Sequence, residues 1–386
     1  MKPLELYFDL VFVLGFTQCT ALMARDPTWE GIAQGLLVLA VLWWAWAGYA
    51  WLTSVVEPEE GPVRIAMFGA MAALLVVALC VPEAFGERAL AFALAYGAVR
   101  LGHIALFVLA SRDDPELRRS VTTLAVSTTI AVGLLCAASA VEGIVQGAIW
   151  ATALAIDMGG PAIFGLAGWK LVPGHFAERH NLVIILALGE SIVALGIGAE
   201  VGLSAGVIAA AALGVGLASA LWWIYFDVVS LVTAARLARA APGRVQNALA
   251  RDSYSYLHFP MVAGIVLVAL GLEETLAHVD EHLHTVPAFA LLGGIAFYLL
   301  GHVVLRLRNA RSISPSRLGM AILMVALWPL ALEITALAMV LIVNLLLWAM
   351  IGYENTRLYG DRRYRLRHGL EVEVPSHPAP AAGSGA

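Results

Sequence analysis

Long apolar segments recur along almost the whole chain, and they constrain the fold more than any other feature. About 20 consecutive apolar residues cross the hydrocarbon core of a bilayer as an α-helix. Twelve segments of suitable length occur, at residues 4–23, 31–52, 64–82, 89–110, 120–138, 144–166, 181–199, 203–226, 254–272, 285–305, 318–333 and 335–352. In lipid, where water is absent, a helix satisfies its own backbone groups. The sequence therefore predicts an all-α, polytopic membrane protein with about twelve transmembrane helices.

Two of these segments contain residues that disturb a helix. Pro329 and Glu333 interrupt a nearly continuous apolar run and mark the boundary between the last two helices. The sixth segment contains Asp157-Met-Gly-Gly-Pro161. Because proline lacks a backbone N–H, this stretch is expected to loosen or kink the sixth helix.

The composition agrees with a membrane protein and argues against several functions. The chain is 61% hydrophobic and 13% charged, whereas an ordinary soluble domain has roughly 25% charged residues. It contains no Walker loop, no HExxH sequence and no basic patch interleaved with aromatic residues. Those are the patterns of nucleotide, metallopeptidase and nucleic-acid sites. We therefore expect no enzyme activity, no cofactor, no metal and no nucleic-acid partner.

The placement of basic residues predicts the topology. With twelve helices, both termini and the even-numbered loops share one face. That face carries Lys2, Arg64, Arg112, Arg118, Arg119, Lys170, Arg179, Arg236, Arg239, Arg244, Arg251, Arg306, Arg308, Arg311, Arg317, Arg357, Arg362, Arg363, Arg365 and Arg367. The opposite face has only Arg25 and Arg88, and Arg100 is intramembrane. Cytoplasmic loops carry an excess of Lys and Arg, so both termini are expected in the cytoplasm of a bacterial inner-membrane protein.

An internal repeat is also visible. Four pairs of segments match in the same order, six helices apart: Phe12–Gly15 with Leu186–Gly189, Leu42–Trp46 with Leu221–Tyr225, Phe68–Leu79 with Phe259–Leu270, and Leu101–His103 with Leu300–His302. We interpret the chain as two six-helix repeats, residues 1–170 and 171–356. Because each half has an even number of spans, the halves would be parallel repeats, and functional sites in such proteins usually lie between them.

Residues 357–386 would follow these repeats as a separate segment. Its first part, Arg357 to Arg367, is basic and juxtamembrane, and is expected to rest on anionic lipid headgroups at the cytoplasmic face. The remainder is rich in Pro, Ala, Gly and Ser, which is typical of a disordered tail.

Three acids lie inside the apolar segments and are candidates for an ion or proton pathway. Glu190 lies near the middle of the seventh segment, where a charged side chain costs about 2.5–3.5 kcal/mol on insertion scales. Such a carboxyl group is expected to face a protein interior and to bind and release protons. Asp9 lies one turn deeper than Glu5 on the same face of the first helix, with Glu5 expected at the surface. Asp157 lies beside a glycine pair whose carbonyl groups would be exposed in a loosened helix.

Arg100 and four histidines complete the candidate pathway. Arg100 keeps its charge and needs an anionic partner, for which Asp9, Asp157 and Glu190 are candidates; a structural ion pair between the halves is the alternative role. His103, His180, His258 and His302 lie in the cytoplasmic half of their helices. Histidine titrates near neutral pH, so a water-facing cluster could relay protons, although each one alone can also be a hydrogen-bonded interior residue. Trp222, Trp223 and Tyr225 are interpreted as an interfacial aromatic belt.

Three motifs resemble those of the bacterial low temperature requirement A (LtrA) family. They are Glu5-Leu-Tyr-Phe8-Asp9-Leu-Val-Phe-Val, Glu178-Arg179-His180 leading to Leu188-Gly189-Glu190-Ser191, and Tyr256-Leu-His258-Phe-Pro260. Tyr7 stands where the family often has phenylalanine. The resemblance implies a multipass bacterial membrane protein associated with growth in the cold, and it marks Glu5, Phe8, Asp9, Arg179, His180, Gly189, Glu190, Ser191, His258 and Pro260.

Two functions remain open from the sequence. The first is a proton- or cation-linked transporter or ion-conducting protein that moves an unidentified small ion or solute between the two halves. The second is a non-transporting membrane sensor or scaffold that supports growth at low temperature.

Overall fold

The computed structural model describes residues 2–59 and 61–359, and these are almost entirely helical. Eleven of the described helices are long and apolar enough to cross a membrane. They are α1 (Pro3–Arg25), α2 (Trp29–Leu52), α3 (Gly61–Cys80), α4 (Ala89–Ala110), α5 (Pro115–Ala138), α6 (Gly143–Phe164), α7 (Pro173–Gly198), α8 (Ala205–Phe226), α11 (Phe259–Ala277), α12 (Thr285–Ala310) and α15 (Ala336–Glu354). Four short helices are α9 (Val229–Arg239), α10 (Arg244–Ala250), α13 (Pro315–Ala326) and α14 (Trp328–Ala331). The prediction of an all-α polytopic membrane protein is confirmed.

The segment predicted at 318–333 is the one that does not form a single long helix. It is divided into α13 and α14, which meet at Leu327 just before Pro329. A turn then separates α14 from α15, where Thr335 caps the new helix by accepting a hydrogen bond from the Ala338 N–H. Proline at this point removes a backbone donor and favours the break.

The sixth helix behaves differently from its prediction. α6 stays helical through Pro161 and ends at Phe164. Carbonyl groups in its last turns accept hydrogen bonds from the second half of the chain: Met158 from the Tyr256 hydroxyl, and Pro161 from Arg251 Nη1 at 2.9 Å. Two carbonyl groups that flank the glycine pair are therefore bonded to protein.

Contacts between loops define two faces of the bundle. On the first, which we call the basic face, Lys2 pairs with Glu57 and Lys170 Nζ lies 3.0 Å from Asp114 Oδ2. On the opposite face, Arg25 Nη1 lies 3.6 Å from Glu83 Oε1. The helices therefore alternate in direction, as the charge pattern requires.

Helix neighbours follow the same order in both halves. In the first half α1 packs against α2 and α3, α3 against α4, α4 against α5, α5 against α6, and α2 against α6. In the second half α7 packs against α8 and α11, α11 against α12, α12 against α13, α13 against α15, and α8 against α15. This pattern agrees with two six-helix units, although the repeat itself and its boundaries stay a prediction.

The two halves meet along α1 and α7, with α2 and α11 buried beside them. α11 and α12 approach each other closely through facing glycines. A Cβ added to Gly264 would lie 2.6 Å from the Gly294 carbonyl oxygen, and one added to Gly294 would lie 2.8 Å from the Gly264 carbonyl oxygen. Small residues at such a contact let helix backbones pack directly in a membrane protein. The result is a rigid support behind the α1–α7 contact.

Candidate functional site

Polar side chains lie along the contact between α1 and α7, although most residues of these two helices are apolar. We call this row the polar seam; it consists of Glu5, Asp9 and Thr17 from α1 with His175, Arg179 and Glu190 from α7. Glu5, Asp9, Arg179 and Glu190 are each 0% exposed. Buried charges are costly unless they are paired and hydrogen-bonded, so each of these groups requires a partner.

The part of the seam near the basic face is an ion-pair cluster. Arg179 Nη2 lies 2.6 Å from Asp9 Oδ1, and Arg179 Nη1 lies 3.8 Å from Glu5 Oε1. His175 Nε2 lies 2.7 Å from Glu5 Oε2, and the His175 side chain is 20% exposed. One guanidinium group therefore holds two carboxylates, and a partly exposed imidazole connects them to the basic face.

Helix α2 and its C-cap residue Thr53 supply further partners of this cluster. Trp46 Nε1 donates to Asp9 Oδ1 at 2.9 Å, and Arg179 Nη1 donates to Thr53 Oγ1 at 2.9 Å. Hydrogen bonds to charged groups are roughly twice as strong as neutral ones. The cluster thus joins α1, α2 and α7, and it holds the first half of the chain to the second.

Glu190 occupies the other part of the seam. Thr17 Oγ1 donates to Glu190 Oε2 at 2.6 Å. Within residues 2–59 and 61–359, Glu190 Oε1 has no hydrogen-bond partner, and neither does the buried hydroxyl of the adjacent Ser191. Glu273 Oε2, in α11, is a third buried oxygen without a partner in this part of the chain. A carboxyl group in this setting has one oxygen fixed and one able to take a proton.

Apolar side chains separate the two parts of the seam. Asp9 and Thr17 are eight residues apart on α1, which is a rise of about 12 Å. Phe12 and Phe16 lie between them and are 2% and 1% exposed. On α7, Val183, Ile184 and Ala187 are fully buried over the same interval. The seam is therefore two polar sites with an apolar barrier between them.

Three of the four predicted histidines lie together beside the ion-pair cluster. The rings of His180 and His258 are 5.5 Å apart, and the Tyr225 hydroxyl lies 2.8 Å from His258 Nε2. The same hydroxyl donates to Asn181 Oδ1 at 2.8 Å, and the His302 ring is 6.0 Å from the Tyr225 ring. All three histidines are at most 2% exposed, so they form an interior cluster and do not face bulk water.

Arg100 and Asp157 form a second ion pair, away from the seam. Arg100 Nη2 lies 3.0 Å from both oxygens of Asp157, and Thr128 Oγ1 bonds to both partners, at 2.8 Å from Arg100 Nη2 and 2.7 Å from Asp157 Oδ1. Of the three candidate acids for Arg100, the structure selects Asp157. Arg100, Thr128 and Asp157 lie on α4, α5 and α6, which all belong to the first half. The pair therefore connects helices within the first half and does not connect the two halves. His103 lies on α4 beside Tyr49, with ring centroids 5.3 Å apart.

Two sequence interpretations are wrong. Glu5 was expected at the surface, but it is buried because His175 and Arg179 cover it. Tyr225 was assigned to an interfacial belt, but it is 1% exposed and bonded to His258; Trp222, at 42% exposed, does lie on the surface. A hydroxyl group can enter the interior when it finds partners there.

Four further residues belong to the site although the sequence motifs do not mark them: Thr17, Trp46, Thr53 and His175. Thr17 could have been found, because positions 5, 9, 13 and 17 follow the spacing of four residues that lines one helix face. The other three could not, since they lie on different helices and only packing brings them to the acids. Of the other motif residues, Phe8 is fully buried, Pro260 lies in the first turn of α11, and a Cβ added to Gly189 would meet no atom of the described residues within 4 Å.

Comparison with known proteins gives two matches. The family model described as "Bacterial low temperature requirement A protein (LtrA)" matches residues 1–352. An uncharacterized protein of Rhizobium meliloti (strain 1021) is 28% identical over 376 residues, which is 92% of this chain and 90% of that protein. No solved structure matches the chain significantly.

Proposed function

The chain belongs to the bacterial low temperature requirement A (LtrA) family of multipass membrane proteins, and from that premise we propose that it is a proton- or cation-linked transporter or ion-conducting protein. It would lie in the bacterial inner membrane with both termini in the cytoplasm, so that the basic face is the cytoplasmic face and contacts anionic lipid headgroups.

The observation that carries this proposal is the position of Glu190. It is fully buried at the contact between the halves, one oxygen is held by Thr17, and its other oxygen has no partner within the described residues. An intramembrane acid without a counter-charge is expensive, and such residues mark proton and ion pathways. Among residues 2–59 and 61–359, no basic side chain forms an ion pair with Glu190, so a purely structural ion pair does not account for it.

The rest of the seam supplies the parts that a coupled pathway needs. On the basic side, the cluster of Glu5, Asp9 and Arg179 provides charged groups connected to the surface through His175. On the opposite side, Glu190 is the proton-binding group. The phenylalanines between them keep water from joining the two sites. Opening the α1–α7 contact on one side at a time would give access to Glu190 from alternate faces.

A non-transporting sensor or scaffold is the second candidate. The Arg100–Asp157 pair favours it, because this pair lies inside the first half and braces helices without lying on the seam. In a scaffold, Glu190 would be one more packing residue, and the chain would move no ions.

Ion flux through the purified chain distinguishes the two candidates. The full-length protein is reconstituted in phosphatidylethanolamine–phosphatidylglycerol vesicles containing a pH-sensitive dye, and valinomycin with a potassium gradient sets an inside-negative potential. We expect acidification of the lumen well above the rate of protein-free vesicles, with a rate that depends on external pH or on an added cation. A rate equal to that of protein-free vesicles under every pH and cation condition would contradict the transport proposal and favour the scaffold.

A further inference from the structure

We propose that a small cavity between α2, α4 and the segment that precedes α11 binds a monovalent anion of the size of chloride. We call it the arginine cavity. Its volume is about 30 Å³. It is lined by Trp44, Ala47, Gly48, Trp51, Arg100, His103, Leu124, Pro161, Leu166, Trp169, Arg251 and Ser255. It lies apart from the polar seam, so this inference is independent of the function proposed for Glu190.

Hydrogen-bond donors without partners are the first reason for this assignment. Trp44 Nε1 and Arg100 Nε are buried and have no partner within the described residues, and neither ring nitrogen of His103 makes a hydrogen bond of ordinary geometry there. Trp44 is 6% exposed, and Arg100 and His103 are each 1% exposed. Buried polar groups are nearly always hydrogen-bonded, so orphaned ones need an explanation. Indole and guanidinium nitrogens can only donate, and all three side chains line one cavity.

Charge is the second reason. Two guanidinium groups line the cavity, and none of its lining residues is acidic. Each of these arginines is paired with a carboxylate whose residue does not line the cavity: Arg100 Nη2 lies 3.0 Å from Asp157, and Arg251 Nη2 lies 2.7 Å from Asp252. Arg100 Nε remains directed to no protein acceptor. Among the described residues, the cavity is therefore lined by two guanidinium groups and by no carboxylate, and Arg100 Nε in its lining still lacks an acceptor.

The volume of the cavity limits which anions can bind. A cavity needs roughly 10–15 Å³ on this measure to hold one water molecule, so about 30 Å³ admits a single halide ion or one to two waters. A phosphate ester or a larger organic anion would not fit. Water is the rival occupant, but each water must also donate two hydrogen bonds. Most of the groups around this cavity are donors, which favours an ion that only accepts.

A second, larger cavity adjoins the arginine cavity near the start of α5. This neighbouring cavity of about 290 Å³ shares Leu124, Pro161, Leu166 and Trp169 with the arginine cavity. The larger cavity is also lined by Glu116, Arg119 and Ser120, near the start of α5 at the basic face. The two cavities therefore share a wall made of these four side chains.

Gly48 adapts the backbone to this site. A Cβ at position 48 would lie 3.0 Å from His103 Nε2 and 3.1 Å from Arg100 Nη1. These distances are too short for an ordinary contact, so glycine keeps the histidine and arginine at their positions beside α2. A larger side chain at position 48 would therefore displace the two polar groups that α4 contributes to the cavity.

Binding of radiolabelled chloride to the purified full-length chain in detergent, in a gluconate buffer, tests the proposal. Trp44→Phe removes the indole donor and keeps a ring stacked on Tyr256, to which Trp44 is parallel at 5.7 Å. His103→Phe removes both nitrogens and keeps an aromatic ring beside Tyr49. Trp222→Phe is the matched control, since Trp222 is surface-exposed and does not line the cavity.

We expect saturable binding of about one chloride per chain in the wild type and in Trp222→Phe. Affinity should fall about tenfold or more in each cavity variant, because a hydrogen bond to a charged group is lost. Thermal melting in gluconate identifies any variant that fails to fold. If one cavity variant fails to fold, the chloride affinity of the other cavity variant tests the proposal. No saturable binding by the wild type would show that water suffices, and equal binding in all four proteins would place chloride elsewhere. Either result overturns the proposal.

Discussion

Glu190→Gln is expected to abolish proton-linked flux while leaving the chain folded. Glutamine has nearly the same shape, and its carbonyl oxygen can still accept the hydrogen bond from Thr17, which is 2.6 Å long in the wild type. The free energy of unfolding should therefore change by no more than about 1 kcal/mol, the value of a single hydrogen bond. The amide cannot take up and release a proton, so flux in the vesicle assay should fall to the rate of protein-free vesicles.

Two control variants make this result specific. Glu30→Gln removes a carboxylate from the first turn of α2, where Glu30 is exposed and bonded to Gln34; it should transport normally. Glu190→Asp keeps the titratable group on a shorter side chain and should retain part of the flux. Full flux in Glu190→Gln, with a normal melting profile, would exclude Glu190 as the coupling group.

Arg179→Gln is expected to give the largest loss of stability of any single substitution in the seam. It leaves two buried carboxylates, Glu5 and Asp9, without the guanidinium group that lies 3.8 Å and 2.6 Å from them. Removing one partner of a buried pair costs about 3–5 kcal/mol, because the remaining charge is buried and uncompensated. The loss should appear as a large fall in melting temperature in detergent.

A surface arginine provides the matched control for this prediction. Arg308 pairs with Asp252 at 2.8 Å, but its side chain is 40% exposed. Arg308→Gln should cost at most about 1 kcal/mol, as exposed pairs do. The double variant Asp9→Asn with Arg179→Gln should recover part of the lost stability, since one unpaired charge is removed as well. If Arg179→Gln melts at the same temperature as Arg308→Gln, the ion-pair cluster does not hold the halves together.

Much of the fold follows from the sequence because apolar length is a strong signal in lipid. The segments predicted around Asp9, Arg100 and Glu190 are all transmembrane helices in the structure. The burial of Glu190 also follows, since a charge is too costly to face hydrocarbon. The shared face of Glu5 and Asp9 comes directly from helix periodicity.

The partners of these residues could not be predicted, because they depend on packing between distant helices. Arg179 is an example. The sequence predicts that the seventh transmembrane helix begins at residue 181, which puts Arg179 in the preceding loop. In the structure α7 begins at Pro173. Glu178, Arg179 and His180 lower the local hydropathy, so the start of the helix was placed too late. The sequence likewise predicts no helix at the position of α9. Arg236 and Arg239 lower the hydropathy of this amphipathic helix, so its sequence resembles that of a loop.

Carbodiimide labelling of the carboxyl groups, mapped by mass spectrometry, is the most direct test of a proton-binding Glu190 between α1 and α7. The reagent reacts with protonated carboxyl groups, and the chain denatured at acidic pH, where its carboxyl groups are protonated, serves as a reactivity control. We predict modification of Glu190 in the folded protein near neutral pH, declining as pH rises, with little modification of the ion-paired Asp9. An unmodified Glu190 in the folded protein, with normal labelling after denaturation, would contradict the central claim.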